Sequence, residues 1–369
     1  MHLDREQERA LAGELGPSLE WAMGTLCRLG DRQGAERLVP VASVHIPDWY
    51  AHRGSERWDH LQHIGLAAVP TTANPGGPAD RLSQERARLL ERLRLTAAYT
   101  CTCVPYLAGN HPSPGAAVAW GGRAASAFAN SVLGARGAEE DFESAVASAV
   151  TGLTPERGLL LPENRRATVV VTADSWPRED HALLGWLLSL AVPGEVPLIT
   201  GIRPSYDEAK RLAFAANWEG RIPLFRLGTG PPPSGLERVE LPPSREAVPP
   251  PGGEPDLVVM GCPHLSEQDI NRWGRYLADR PRSRMEAWFF TSRICMDKCP
   301  LTGAVLASRG RVLTDMCPLN LLSELEGRRV ACDSPGLAAC LRGAGADASH
   351  ATTASLRALL TAQRPPDVQ

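Results

Sequence analysis

Apolar and polar positions along this chain follow two periods, and the changes between them mark out strands and helices. Near the start, Leu11, Leu15 and Leu19 make a stripe at helical spacing, and Asp4 stands three residues before Gln7 in a capping-box pattern. Gly16-Pro17 interrupts the stripe, so two helices are expected there. RLVPVASVHI (37–46) reads as one strand ending near His45, and LAAVPTTANP (66–75) as a short strand entering a Thr-Thr-x-Asn turn. A charged helix is expected over 78–95, a small-residue helix over 124–135, a strand over 167–174 and an apolar helix over 181–192. From residue 256 the alternation is regular. DLVVMGCPH is strand then loop, SEQDINRWGRYLADR is a helix capped by Ser266, EAWFFTSR is a strand, and ICMDKCPLTGAVLASRG is mostly helix. RVLTDMCP is strand then loop, RRVACDS is a strand, and the remainder reads as helical.

Strands alternating with helices predict an α/β fold with a parallel sheet covered on both faces. Ligands of such sheets gather at the carboxyl ends of the strands. Cys262, just past the strand at 256–260, and Cys317, just past the strand at 311–315, are therefore expected on one rim of one sheet. Each is followed by Pro, and Cys103 lies one residue from Pro105 in TCTCVPYLAGN (100–110). Three cysteines in stiff loops suit an iron–sulfur cluster better than zinc, because no CxxC pair is present. Cys295 and Cys299 have the spacing of two thiols on one helix face, read first as packing and second as a metal pair. Cys27, Cys332 and Cys340 read as packing residues.

Composition narrows the function classes. The 369 residues carry a net charge of −3 without a basic run, which argues against nucleic acid or an anionic membrane as partner. No stretch of about 20 apolar residues offers a membrane span. The N-terminus lacks a secretory pattern and the nine cysteines are odd in number, so a reducing cytoplasm is expected. A Pro/Gly-dense stretch, with one short edge strand at 238–241, suggests three parts: 1–229, a connector at 230–256, and 257–369.

Several blocks carry a family resemblance. LAGELG, GDRQGAERLVPVASVHI, VPTTANP, TCTCVPYLAGN, AWGGRAASAFANSVLGAR, ENRRATVVV, LVVMGCPHLS, FTSR and LTDMCP run in order along most of the chain. Together they resemble the aconitase X family, in its catalytic or large-subunit part. The resemblance implies an aconitase-like, multi-domain α/β/α architecture with parallel sheets and an iron–sulfur cleft between domains. It implies a hydro-lyase that dehydrates a small hydroxy acid of the phosphomevalonate, cis-3-hydroxyproline or related biosynthetic type. It assigns Cys103, Cys262 and Cys317 as ligands of an iron–sulfur cluster, [4Fe-4S] first, with [2Fe-2S] or a single iron as alternatives. Catalytic candidates are His45, as acid, orienting group or core histidine, and Ser43. Substrate-binding candidates are Thr71, Thr72, Asn74, Asn110, Asn130, Ser131 and Arg123. The family's serine base belongs to a swivelling domain absent before Gln369, so a small-subunit partner is expected.

The chain departs from the family pattern at 121–124 (Gly-Gly-Arg-Ala), at 137–140 (Gly-Ala-Glu-Glu), at Leu159 or Leu160, and at Arg226. Arg123 could read a phosphate or second carboxylate, or equally be a surface residue. An isomerase on the same scaffold, or a non-catalytic cluster-binding relative serving as a partner scaffold, are the competing readings.

Overall fold

The computed structural model describes residues 1–47, 63–74, 88–89, 91–94, 104–174, 176–177, 180–241, 253–283 and 285–362. They form two compact units, Met1–Ala167 with Pro223–Phe225, and Thr168–Ile222 with Arg226–Gln369. Residues 1–229, expected as the N-terminal α/β region, span the first unit and part of the second. The middle of the connector, 242–252, lies outside the described residues.

The first unit opens with α1 (Arg5–Leu11) and α2 (Pro17–Arg32). The Asp4 carboxylate accepts the Glu6 and Gln7 amides at 2.9 Å, and the Gln7 side chain returns to the Asp4 amide. The segment expected as one strand is two, β1 (Leu38–Pro40) and β2 (Val44–Ile46). Between them the backbone changes partner, Val41 N–H going to the Gly152 carbonyl and Ala42 N–H to that of Ala117. Strand β1 pairs antiparallel with β5 (Leu153–Pro155), whereas β2 is the centre of a parallel sheet between β3 (Thr71–Ala73) and β4 (Ala119–Trp120). Helix α3 (Arg123–Ser131) is shorter than the helix expected over 124–135, and α4 (Phe142–Thr151) follows. Met23 and Leu26 of α2, Val146 of α4 and Val44 and Ile46 of β2 share one buried core. Of the helix expected over 78–95, only residues 88–89 and 91–94 are described, and 88–89 and 91–92 are helical.

The second unit holds two all-parallel sheets. One has the order β8 (Arg226–Gly228), β7 (Pro197–Thr200), β6 (Val169–Thr172), β9 (Glu237–Val239), with α5 (His181–Ala191) and α6 (Tyr206–Ala216). The expected edge strand is β9. The other has the order β12 (Arg311–Thr314), β11 (Glu286–Thr291), β10 (Leu257–Leu265), β13 (Arg329–Cys332), β14 (Asp347–His350). It carries α7 (Glu267–Ala278), α8 (Arg293–Asp297), α9 (Pro300–Arg309), α10 (Leu322–Leu325), α11 (Pro335–Gly343) and α12 (Thr353–Thr361). Leu257, Val259, Phe290, Val330, Leu337 and Leu341 form its core. Strand β14 interrupts a segment expected as helix throughout. Its sequence, Asp-Ala-Ser-His, lacks the β-branched and aromatic residues that signal a strand.

Candidate active site

Strand β10 is buried along its whole length. Its pairing with β11 is regular from Leu257 to Met260, breaks, and resumes at Leu265 opposite Thr291. Gly261, Cys262, Pro263 and His264 occupy the break, so Cys262 sits in an irregular stretch within the strand rather than in a loop after it. Gly261 has φ +102°, and a β-carbon there would run into the Phe290 carbonyl, so this turn requires glycine. The Asp333 carboxylate, just past β13, accepts the Gly261 amide at 2.8 Å and the Cys262 amide at 3.3 Å. Burial pushes the Asp333 carboxyl up to about 6, against the two amide bonds and Arg211, which pull it down.

Cys317 lies past β12, ahead of a 3-10 turn at Pro318–Leu321. Cys262 and Cys317 thus both stand toward the carboxyl ends of strands in one parallel sheet, as the pattern predicts. The two segments are joined directly, for His264 Nε2 is 2.7 Å from the Met316 carbonyl oxygen. A carbonyl only accepts, so Nε2 carries the proton and donates. In the neutral ring Nδ1 then keeps its lone pair. That atom is buried without a hydrogen-bond partner among the described residues.

The His264 carbonyl accepts from Lys210 Nζ at 2.8 Å, and the same ammonium reaches Asp269 Oδ2 at 2.7 Å. Lys210 is fully buried, and Asp269 also receives Arg211 and Arg272. Burial alone would raise the Asp269 carboxyl, but Arg211, Lys210 and Arg272 hold it far below the usual carboxylate range. Ser266 Oγ bonds Asp207 at 2.7 Å and caps α7 through the Asp269 amide. His264, Asp333, Lys210 and Asp269 escaped sequence reasoning. Only His264, inside the GCPH block, carried a signal that could have found it.

The first unit gathers a second polar cluster around β2. His45 is fully buried, with Nδ1 2.9 Å from Thr72 Oγ1 and Nε2 2.8 Å from Asn74 Oδ1. The neutral tautomer protonated at Nε2 satisfies both, donating to Asn74 and accepting from the Thr72 hydroxyl. Asn110 Nδ2 donates to Thr72 Oγ1 at 3.0 Å and to the Val44 carbonyl at 2.9 Å. Its Oδ1 is buried without a partner among the described residues. Ser43 Oγ accepts Trp120 Nε1 at 3.0 Å. Thr71 turns to its own chain, donating to the Val69 carbonyl at 2.9 Å.

Three candidates stand apart from this cluster. Asn130 Oδ1 takes the Gly137 amide and Arg165 Nη1, while its Nδ2 donates to the Gly137 carbonyl and Ser126 Oγ. Those bonds clamp the segment that follows α3. Ser131 Oγ accepts the Phe225 amide at 2.9 Å. Arg123 is exposed and pairs with Glu139 at 3.3 Å, so the departures at 121–124 and 137–140 meet in one ion pair.

Cys101 and Cys103 lie outside the described residues. Cys295 and Cys299 do not share one helix face: the first is within α8 and the second precedes α9. Burial pushes both thiols up, and pushes Cys332 up to about 12, leaving it a neutral packing group. Among the described residues, no three His, Cys, Asp or Glu side chains stand together as a metal site, and no helix is long and apolar enough to cross a membrane.

Comparison with known proteins identifies what the chain is similar to. The model of the aconitase X first domain matches residues 1–163, and that of the aconitase X third domain matches 255–359. A phosphomevalonate dehydratase large subunit from Methanothermobacter thermautotrophicus is 32% identical, the match covering 86% of this chain and 88% of that protein. A cis-3-hydroxy-L-proline dehydratase from Pseudomonas aeruginosa is 30% identical over 85% of this chain and 61% of its own length. The crystal structure of Thermococcus kodakaraensis aconitase X in its holo-form superposes with a TM-score of 0.83 at 29% identity, covering 94% of this chain and 96% of that one. The chain belongs to the aconitase X family.

Proposed function

We propose that this chain is the large subunit of a hydro-lyase that dehydrates a small hydroxy acid, with an iron–sulfur cluster held by Cys103, Cys262 and Cys317. The observation that carries the reading is the rim of the five-stranded sheet, where Cys262 and Cys317 stand on segments joined through His264 and Met316. The donor set fits such a group. Two thiols from distant parts of the sequence share a rim, one almost fully buried, on backbone held by Asp333 and Lys210. When bound, a cluster with one iron not ligated by protein supplies Lewis-acid activation of the leaving hydroxyl.

The chain's own groups do the rest of the holding. Asp333 and His264 set the backbone on which the two thiols stand. Asn110 Oδ1, a buried acceptor without a partner among the described residues, takes a hydrogen bond from a substrate hydroxyl. His45 is an orienting group in this scheme, because both ring nitrogens are engaged by Thr72 and Asn74 and keep that pair aligned with Asn110. The base that removes the carbon-bound proton comes from a small-subunit partner, in keeping with relatives named as large subunits. The substrate is a hydroxy acid of the kind the relatives' names give, phosphomevalonate or cis-3-hydroxy-L-proline, or an analogue of these.

Anaerobic reconstitution with iron and sulfide tests the reading. Wild type is expected to retain iron after desalting, and Cys103→Ala, Cys262→Ala and Cys317→Ala each to lose most of it. Variants that hold as much iron as wild type overturn the ligand assignment. Dehydration of a hydroxy acid only when the small subunit is added supports the partner assignment.

A further inference from the structure

The four-stranded sheet of the second unit has a site of its own. Strands β6, β7 and β8 follow one another outward, and the chain then crosses back to lay β9 on the far side of β6. Such a reversal opens a crevice at the carboxyl ends of parallel strands, the usual ligand position in open α/β sheets. A cavity of about 660 Å³ occupies that edge, a volume suited to a small metabolite.

Its lining is polar and only partly committed. Thr172 and Asp174 come from the end of β6, Thr200 and Arg203 from the end of β7, Thr229 from the end of β8, and Arg238 from β9. The side chains of Arg203, Arg238 and Asp174 make no hydrogen bond or ion pair among the described residues, although elsewhere in this unit those of Arg211, Arg272, Arg311 and Arg328 all do. Glu208, the second lining carboxylate, is engaged by the Ser205 amide at 2.7 Å. At Gly201 φ is +88°, and a β-carbon would run into Asp174, so the loops after β6 and β7 meet only because this residue is glycine. The cavity also lies in 164–254, between the two family-model matches.

We infer that this edge binds a hydroxylated phosphate monoester, with the phosphate on Arg203 and Arg238 and a hydroxyl on Asp174. Two guanidinium groups from different strands offer forked donors to an anion carrying several acceptor oxygens. A free carboxylate beside three threonine hydroxyls suits a ligand that donates hydrogen bonds, which bare phosphate ion does far less well than a polyol ester. The site uses none of the cysteine rim, so it stands or falls separately from the iron assignment.

Titration calorimetry of the full chain with glycerol 3-phosphate, inorganic phosphate and glycerol tests this. Glycerol 3-phosphate is expected to bind saturably and more tightly than inorganic phosphate, and glycerol not at all. Arg203→Ala and Arg238→Ala should each weaken glycerol 3-phosphate by about tenfold or more. Asp174→Asn should weaken glycerol 3-phosphate while leaving inorganic phosphate unchanged. Cys262→Ala should bind like wild type. Thermal unfolding of the three lining variants should match wild type, which separates lost contacts from lost structure. Absence of saturable binding, binding indifferent to both arginine variants, or binding abolished in Cys262→Ala would each overturn the site.

Discussion

The two parallel sheets of the second unit obey one topological rule and finish their carboxyl edges in opposite ways. At the five-stranded edge the segments around Cys262 and Met316 are braced. Asp333 takes two amides, His264 joins two segments, and Lys210 ties the His264 carbonyl to Asp269. At the four-stranded edge Arg203, Arg238 and Asp174 are exposed and uncommitted among the described residues. The first edge has used its polar groups to hold backbone in place. The second keeps them for whatever enters the crevice. Preorganised donors suit a rigid metal centre, and uncommitted ones suit an exchangeable small molecule.

The largest break in this comparison should come from the brace itself. Asp269→Asn leaves the buried Lys210 ammonium without its nearest carboxylate, and a loss of about 3–5 kcal/mol is expected in urea unfolding. A loss below about 1 kcal/mol, the range of exposed pairs, would mean that the network braces nothing. His264 offers a more local probe. His264→Leu removes the donor to the Met316 carbonyl and should weaken iron retention about tenfold in anaerobic chelator competition. His264→Gln keeps an amide donor and should recover most of that loss. Equal iron retention in Leu and Gln variants would show that the bond between the two segments is irrelevant to the centre.

The smallest effect lies at the amino end of the same sheet. Arg328 binds Asp256 and Glu286 at 2.8 Å each. Its hydrogen bond leads in holding Glu286 low; at Asp256 burial pushes up first, but Arg328 and the Arg329 amide outweigh it. Carboxyls with depressed folded values contribute stability above about pH 4, where the unfolded chain is also ionised, and lose it as pH falls through the folded values. Acid unfolding of Arg328→Gln should therefore be slightly less pH-dependent than wild type below about pH 4. Identical acid profiles would remove these pairs from the account.

Much of this architecture was legible in local pattern. The Asp4 and Ser266 caps, the break at Gly16-Pro17, the alternation after residue 256 and the shared rim of Cys262 and Cys317 follow from short-range spacing, and all appear in the structure. Strand β14 stayed hidden because Asp-Ala-Ser-His carries no strand signal. The division of 37–46 into two strands stayed hidden because the change of partner at Val41 and Ala42 leaves no mark in hydrophobicity. Among the candidate residues, His45, Thr72, Asn74 and Asn110 come together, whereas Asn130 and Arg123 are spent on Gly137, Arg165 and Glu139.

Sequence alone therefore determined the order and type of most elements and the edge on which two cysteines stand. Periodicity, caps and turn residues act within a few positions, so they can be read along the chain. Tertiary structure decided which polar groups work and which merely hold. Lys210 meets Asp269 across 59 positions, His264 meets Met316 across 52, and His45 meets Thr72 across 27. Such pairings are selected by burial, which makes an unpartnered charge or amide costly, and burial exists only once the sheets have formed.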